Sequence, residues 1–374
     1  MIPIKYRLDA VTEDIYVKKV ISCIENPKNV SDELGKLLKD IEMKRPGIGR
    51  IILDDASRFT KEYPDFPVLC AWLVMSYQNL ENIKRYFEQM IWADLVVKNV
   101  GARLKNPNFI ELKSYHGLRE RRVRYKSSKM IQVRSYLRIP IAYDKIYYQY
   151  EDFLDFYKNF SKKEINNWIV EKTDMKVCPY CNISYTYNRG RSVTAQLDHF
   201  FPKSEYPMFA LCFYNLVPSC SACNKIKHDE VEELASPYKE NVFQQLRITW
   251  EYEGETDDTK YEEKDCLEEL EKHISVKLVT PIQAENANLS TMKISEAYQK
   301  HKDYAGEVIK KVKTYANPDA QKLICDICDS AGVTPEEVMR FYFGNYLKES
   351  ELKNRPLSKM TRDFYEEYKK FIRK

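Results

Sequence analysis

The sequence contains no apolar run long enough to cross a membrane. Its most apolar stretch, residues 68–80, is interrupted by Ser76, Gln78 and Asn79, whereas a transmembrane helix needs about 20 mostly apolar residues. The opening segment, MIPIKYRLDAVTED, carries acidic side chains and lacks the apolar centre of an export signal. We therefore expect a chain without a membrane span that stays in the cytoplasm.

A strong excess of one charge is also lacking. The 60 Lys and Arg residues against 56 Asp and Glu leave a formal net charge of only +4, so the distribution of charge has to decide whether the chain binds nucleic acid. No internal repeat and no low-complexity tract is found. Aromatic residues make up 13% of the chain and include 28 tyrosines, which excludes wholesale disorder.

Positive charge is concentrated between residues 101 and 140. This basic segment contains eleven Lys or Arg and two Glu, with three tyrosines among them. Its sparse apolar positions favour an extended or hairpin conformation over a buried helix. Cations interleaved with aromatic rings can follow the phosphates of a nucleic acid, so Arg121, Arg122 and Arg124 are candidate DNA contacts. The alternative is a generic solvated surface.

Ten cysteines in a chain without an export signal are expected to be reduced, so their spacing is first tested for metal binding. Cys178 with Cys181, and Cys220 with Cys223, form two C-x-x-C pairs. Each pair can offer two thiolates to one tetrahedral Zn²⁺. The spacing predicts a structural zinc site of all four; two unrelated pairs of buried cysteines are the alternative.

A third C-x-x-C, Cys325 with Cys328, has no partner pair and falls in a helix-like apolar pattern. We expect these two cysteines to belong to a hydrophobic core. Elsewhere, helix-period apolar residues predict a helical N-terminal region and a helix around residues 308–315, while alternation predicts strands at 246–252 and 274–279.

The residues between the two cysteine pairs form a recognisable pattern. Gln196-Leu-Asp198-His199-Phe-Phe-Pro-Lys203 is followed by Tyr-Asn215-Leu-Val-Pro, and Asn224 comes directly after the second pair. This arrangement resembles the HNH endonuclease family, in which a strand ends in Asp-His, an Asn lies on the returning segment, and a His or Asn lies on the following helix. The resemblance implies a ββα-metal fold and hydrolysis of DNA phosphodiester bonds.

The residue types fit that chemistry. Phosphodiester hydrolysis requires a deprotonated water, neutralisation of charge on the phosphate and stabilisation of the leaving oxygen. His199, with an ordinary pKa near 6.5, suits the general base near neutral pH. Asp198 suits a ligand of a hard cation such as Mg²⁺ or Mn²⁺. A structural histidine and a surface or capping carboxylate are the alternatives.

The resemblance also implies a role for each of the two asparagines. Asn215 would hold the loop that aims His199 at the scissile phosphate, and Asn224 would be the second ligand of the catalytic metal. Many family members carry His where this chain carries Asn224, so His228, one helical turn later, is an alternative ligand or phosphate contact. Three lysines flank the site and are either phosphate contacts or part of a solvated face: Lys203, Lys225 and Lys227.

Segments 297–303, 307–309 and 355–359 look like the C-terminal region of bacterial HNH proteins encoded beside ATPases, in particular the nuclease subunits of Septu-type anti-phage systems. That likeness implies a partner ATPase, activation during phage infection, and helical flanks that serve as docking surfaces.

Taken together, these patterns predict an α+β protein, mostly helical, with a central ββα-metal module stapled by a zinc site of four cysteines. We expect a helical N-terminal region with the basic segment (1–165), the HNH module (166–235) and a mainly helical C-terminal region (236–374). Two other functions stay open, namely a non-catalytic zinc-stapled module that binds nucleic acid, and a nuclease that cuts RNA.

Overall fold

The structure is a computed structural model that describes residues 1–24, 26–86, 164–190, 192–203, 206–228, 233–253 and 267–372. The basic segment 101–140, with Arg121, Arg122 and Arg124, lies outside these residues. Within the described ranges, no helix combines the length and the apolar character that crossing a membrane requires.

The described residues are mostly helical and include two small antiparallel sheets, which confirms the α+β class. The helices are α1 Ala10–Ile21, α2 Pro27–Lys44, α3 Ile48–Ala56, α4 Pro67–Leu73, α5 Asn166–Thr173, α6 Ser221–Lys227, α7 Leu267–His273, α8 Gln283–Thr291, α9 Ile294–Tyr298, α10 Lys302–Ala316, α11 Pro318–Ser330, α12 Pro335–Phe343 and α13 Ser358–Ile372. A further helical segment covers residues 77–86. The strands are β1 Gln196–His199, β2 Leu216–Ser219, β3 Arg247–Tyr252 and β4 Ile274–Val279.

Local sequence signals set several helix ends. Asp9 begins α1 with a capping box, in which its carboxylate accepts from the Thr12 amide at 2.8 Å and its own amide donates to the Thr12 hydroxyl at 2.9 Å. A second capping box begins α12, where Pro335 occupies the first turn. That helix ends at Gly344, whose φ of 70° is the left-handed conformation that glycine adopts without strain.

The C-terminal elements follow the predicted periodicity. Strands β3 and β4 pair in antiparallel register, with Arg247 opposite Val279 and Tyr252 opposite Ile274. Helix α10 buries Val308 and places its apolar stripe against the core. The two predicted strands and the predicted helix are therefore confirmed.

The expectation for the third cysteine pair is wrong. Residues 325 and 328 do lie on a helix, α11, but this helix has no buried residue and both cysteines are half-buried. Leu323 and Ile327 are each 61% exposed. The apolar residues of α11 therefore include an outward-facing set, which a helix-period pattern alone cannot distinguish from a core face.

One hydrophobic core joins buried residues from all three predicted regions. Around the connection between β1 and β2, it is held by aromatic side chains that donate hydrogen bonds to backbone carbonyls. The three donors come from elements distant in the chain: Tyr16 to Leu211 O at 2.6 Å, Trp72 to Met208 O at 2.9 Å, and Tyr238 to Leu216 O at 2.9 Å. The N-terminal helices therefore position the residues that follow the Asp-His pair.

The close approach of α2 and α3 is testable at Gly49. A Cβ atom there would lie 2.1 Å from the Leu38 carbonyl oxygen, so we expect Gly49→Ala to lower the free energy of unfolding by about 1–3 kcal/mol. Gly35, inside α2, is the matched control, because its added Cβ would only touch Val68 at 3.8 Å. Gly35→Ala should raise stability by about 0.5–1 kcal/mol, measured by urea denaturation. Equal effects of the two substitutions would contradict this packing.

Candidate metal centre and catalytic site

The four cysteines predicted from spacing meet in the structure. Cys178, Cys181, Cys220 and Cys223 are buried, and their sulfur atoms all lie within 4.8 Å of one another. The Cys181 and Cys220 sulfurs are 4.0 Å apart, and zinc–sulfur bonds of about 2.3 Å in a tetrahedron place sulfurs about 3.8 Å apart. The cluster could therefore bind a structural metal such as zinc.

Backbone geometry around each pair supports metal binding. The amide of Ile183 points at the Cys181 sulfur at 3.4 Å, and the amide of Cys223 points at the Cys220 sulfur at 3.5 Å. Amide groups aimed at a sulfur stabilise the thiolate. Asn182 adopts a left-handed φ of 57° directly after Cys181, which turns the chain around the sulfur. We call residues 178–182 the first knuckle.

The pKa shifts of the four cysteines also fit a site that binds a cation. Burial raises the pKa of Cys178, and contacts with the other three thiols raise the pKa of Cys223, while contact with Cys178 lowers the pKa of both Cys181 and Cys220. The opposite directions arise because four buried thiolates this close would repel one another strongly. A bound dication removes the repulsion and allows all four to deprotonate.

The C-terminal region is hydrogen-bonded to the first knuckle. Tyr298 on α9 donates to the Cys181 carbonyl at 2.8 Å, and the Asn182 carbonyl accepts from the Leu357 amide. The Asn182 side chain donates to Leu352 O at 3.1 Å and accepts from the Lys359 amide at 2.9 Å. Residues of segments 297–303 and 355–359 therefore make internal contacts with the first knuckle.

Metal content tests the cluster. We expect purified protein to carry one zinc per chain and Cys181→Ser to lose it, because one hydroxyl cannot replace a thiolate in a site of four cysteines. Cys325→Ser is the matched control, since it removes a half-buried cysteine from a C-x-x-C on helix α11, outside the cluster. Elemental analysis of the three proteins gives the answer. Full zinc occupancy in Cys181→Ser would refute the assignment.

The candidate catalytic residues lie on or beside two antiparallel strands and the helix that follows them. Strands β1 and β2 are antiparallel, with Asp198 opposite Val217 and His199 opposite Leu216. Cys220 then caps the N-terminus of α6 with its sulfur, and α6 packs against β1. Cys220 and Cys223 of the cysteine cluster therefore lie at the start of the helix that follows the hairpin.

The two predicted ligands of the catalytic metal lie on opposite sides of the β1–α6 contact. Gln196 and Asp198 are two residues apart and so share one face of β1, while Asn224 and Lys227 are three apart and share one face of α6. The Asn224 amide nitrogen donates to Gln196 Oε1 at 2.7 Å, and Lys227 Nζ lies 3.0 Å from Asp198 Oδ1. The structure thus brings Asp198 and Asn224 to one interface.

Asp198 is buried, at 3% exposure, and both of its carboxylate oxygens have protein partners. Tyr180, from the first knuckle, donates to Oδ2 at 2.6 Å, and Lys227 forms an ion pair with Oδ1. Burial and the neighbouring Asp198 charge raise the pKa of Tyr180, so its hydroxyl stays a donor. The sequence pattern did not indicate Tyr180 as a contact of the site.

The three flanking lysines differ in position. Lys227 is fully buried and also donates to the His199 carbonyl at 2.9 Å, so it is neither part of a solvated face nor an exposed phosphate contact. Lys203 is half-buried and Lys225 is exposed. The three-residue spacing from Asn224 is the signal that could have placed Lys227 on the buried face of α6.

His199 is held in a neutral state. Desolvation lowers its pKa to about 3, the positive charges of Lys203 and Lys227 act in the same direction, and the Ala210 carbonyl acts against them. Nε2 lies 3.1 Å from the Ala210 carbonyl oxygen. Because a carbonyl oxygen only accepts, we infer that Nε2 carries the hydrogen and Nδ1 carries the basic lone pair.

Asn215 is fully buried and joins the connection between the strands at two points. Its amide nitrogen donates to the carbonyls of Phe201 at 3.1 Å and Phe209 at 3.0 Å, and its oxygen accepts from the Phe201 amide at 2.7 Å. His228, in contrast, is exposed at the end of α6. Asn224, the other candidate for the second metal ligand, donates a hydrogen bond to Gln196 of β1.

A double-mutant cycle tests the buried ion pair between Lys227 and Asp198. Lys227→Met leaves Asp198 as an uncompensated buried charge, so we expect it to lower the free energy of unfolding by about 3–5 kcal/mol. Adding Asp198→Asn to this variant should recover much of the loss because the charge is then gone. Thermal and urea denaturation of the wild type, both single variants and the double variant measure the coupling. Strict additivity would show that the two groups do not interact.

Comparison with known proteins gives one partial match. No family model matches the sequence, and no solved structure matches at a significant level. Among curated proteins, the chain is similar to protein Ea31 of Escherichia phage lambda, with 36% identity over 83 residues. The similarity covers 20% of this chain and 25% of that protein, so the chain spans about a quarter of the length of the curated relative that it matches.

Proposed function

We propose that this protein is a metal-dependent endonuclease of the HNH type that hydrolyses DNA. The observation that carries the proposal is the strand, strand, helix order in which Asp198 and His199 end β1, Asn215 precedes β2, and Asn224 lies on the following helix. The buried cysteine cluster fixes the start of that helix. These positions are those of the family pattern that the sequence resembles.

The geometry of His199 supports a role as general base. A base has to be unprotonated at working pH, which the lowered pKa of His199 ensures, but a pKa of about 3 also makes the imidazole a weak proton acceptor. The support for this role therefore comes from the position of His199 at the end of β1. The contact with the Ala210 carbonyl fixes the ring and leaves the basic lone pair on Nδ1. Asn215 supports this arrangement by tying Phe201 and Phe209 to the entry of β2. In the proposed reaction, Nδ1 takes the proton of the attacking water.

Asp198 and Asn224 are the proposed ligands of a catalytic Mg²⁺ or Mn²⁺, which would neutralise charge on the phosphate. The donor atoms fit a hard cation, since Asn224 uses its nitrogen for Gln196 and so offers its amide oxygen. Lys227 already compensates the Asp198 charge. Binding a cation there therefore requires the ammonium group to share or yield Oδ1.

The same proposal includes contacts to the DNA substrate, a partner ATPase and a biological role. The exposed Lys225 and the half-buried Lys203 would contact phosphates beside the site, and Arg121, Arg122 and Arg124 of the basic segment would extend that contact along DNA. The C-terminal likeness to nuclease subunits encoded beside ATPases supports a partner ATPase and a role in anti-phage defence.

A second candidate function is a nucleic-acid-binding module without catalysis. It is favoured by one observation, namely that Tyr180 and Lys227 already occupy both oxygens of Asp198. An enzyme that acts on RNA is a variant of the first proposal, because the chemistry concerns the phosphate and not the sugar.

Cleavage of plasmid DNA with added Mg²⁺ or Mn²⁺ tests the proposal. His199→Ala should lower the rate by about 10²–10⁴-fold, the usual contribution of a general base. His273→Ala is the matched control, because His273 lies at the end of α7 with its ring against Tyr252, and it should cut like the wild type. The products are resolved by gel electrophoresis, with labelled RNA as a second substrate.

Two further variants assign the second ligand. Asn224→Ala should abolish metal-dependent cutting, while His228→Ala should retain it; the reverse result would transfer the ligand role to His228. If wild type and His199→Ala are equally inactive on both substrates, with and without the partner ATPase, the binding-module function is favoured instead.

A further inference from the structure

Two tyrosines stand out because they face solvent. Tyr185 is 53% exposed and Tyr187 is 42% exposed, whereas the other tyrosines that the structure describes are buried or half-buried. Their ring centroids are 5.2 Å apart. The residue between them, Thr186, is buried and donates to the Met175 carbonyl at 3.2 Å. The chain is therefore extended here, with both rings on one outward face.

The backbone beneath the rings is well held. Thr186 donates its amide to the Lys176 carbonyl at 3.0 Å, and Thr194 donates its hydroxyl to the Tyr187 carbonyl at 2.6 Å. The Asn188 side chain accepts from the amides of Thr194 and Ala195. The rings are thus presented by an ordered segment, so little conformational entropy is lost when they bind a ligand.

One cation belongs to this surface. Arg189 continues the alternation after Tyr187 and is exposed. It forms no ion pair with another residue in the ranges that the structure describes. Its charge is therefore available to an anionic ligand.

The position of this surface relative to the site is fixed by the chain. Tyr185 follows the first knuckle, whose last cysteine is Cys181, and Ala195, which is bonded to Asn188, directly precedes β1. The segment that carries the exposed tyrosines therefore connects the cysteine cluster to the strand that ends in Asp198 and His199. A ligand bound to these tyrosines would lie on the same structural unit as the candidate catalytic residues.

We propose that Tyr185 and Tyr187, with Arg189, form a binding surface for unpaired nucleotides of a nucleic acid. Exposed aromatic rings offer faces on which unpaired bases stack, and nearby cations bind the phosphates between them. Paired bases in a duplex keep their faces covered and cannot stack in this way. The inference rests on the proposed function, and it adds that the enzyme takes substrate with a single-stranded portion.

The test is equilibrium binding of short fluorescent oligonucleotides, measured by anisotropy without added Mg²⁺ or Mn²⁺ so that no strand is cut. Single-stranded DNA, single-stranded RNA and duplex DNA of one mixed sequence are the probes. The variant Tyr185→Ala/Tyr187→Ala should bind at least one single strand about tenfold or more weakly, as expected when base stacking is lost. Its affinity for the duplex should change little.

Two controls separate stacking from a general loss of structure. Tyr185→Phe/Tyr187→Phe keeps both rings and should bind within about threefold of the wild type, since stacking needs the ring face and not the hydroxyl. Phe341→Ala removes another exposed ring, 62% exposed on α12, and should leave binding unchanged. A wild type that binds no single strand, or a double alanine variant that keeps full affinity or loses duplex and single strand equally, would overturn the inference.

The outcome is distinguishable from that of the proposed function. Loss of single-strand binding in the double alanine variant supports the surface even if plasmid and RNA are never cut. Metal-dependent cutting that depends on His199, together with unchanged binding by the double alanine variant, supports the nuclease and rejects the surface.

Discussion

The meeting of four cysteine sulfurs in a buried cluster is the constraint on which the site depends. The first pair belongs to the knuckle before β1, and the second pair begins α6 after β2. A metal bound there would join the two ends of the hairpin and set the direction in which α6 leaves it. The helix then lies against β1, and this contact brings Asn224 to Gln196 and Lys227 to Asp198. The C-terminal region completes the unit, because Tyr298 and the segment after Leu352 bond to the first knuckle.

Charge compensation is the second constraint. A carboxylate as buried as Asp198 is unfavourable unless it is paired and hydrogen-bonded, and Tyr180 and Lys227 satisfy both needs. The same carboxylate is the proposed ligand of a catalytic cation, which would compete with Lys227 for Oδ1. Under this proposal, the stability of the fold and the affinity for the cation would be coupled through one oxygen atom. Such a site would bind metal less tightly than an open carboxylate, because the ammonium group would have to be displaced or shared.

Tyrosine serves two purposes in this molecule. Buried rings such as Tyr16 and Tyr238 fill the core and use their hydroxyls to satisfy backbone carbonyls around the hairpin. This pairing allows an irregular connection of backbone to be buried without leaving polar groups unsatisfied. The rings of Tyr185 and Tyr187 are instead exposed to solvent and do not fill the core. Both lie on the outward face of an extended segment. Composition reveals the abundance of tyrosine, but only the structure separates these two uses.

Features that depend on short spacing could be predicted from the amino-acid sequence alone. Two C-x-x-C pairs predicted the cysteine cluster, because ligands three residues apart can reach one ion. Period-two and helix-period patterns predicted β3, β4 and α10. Tertiary structure decided what depends on residues far apart in the chain. Lys227 pairs with Asp198 across 29 residues and Tyr298 bonds to Cys181 across 117, and neither contact leaves a local pattern. The orientation of α11 is of the same kind: its periodicity predicts a helix, but which face is covered depends on the neighbouring helices α10 and α12, whose positions the local pattern does not contain.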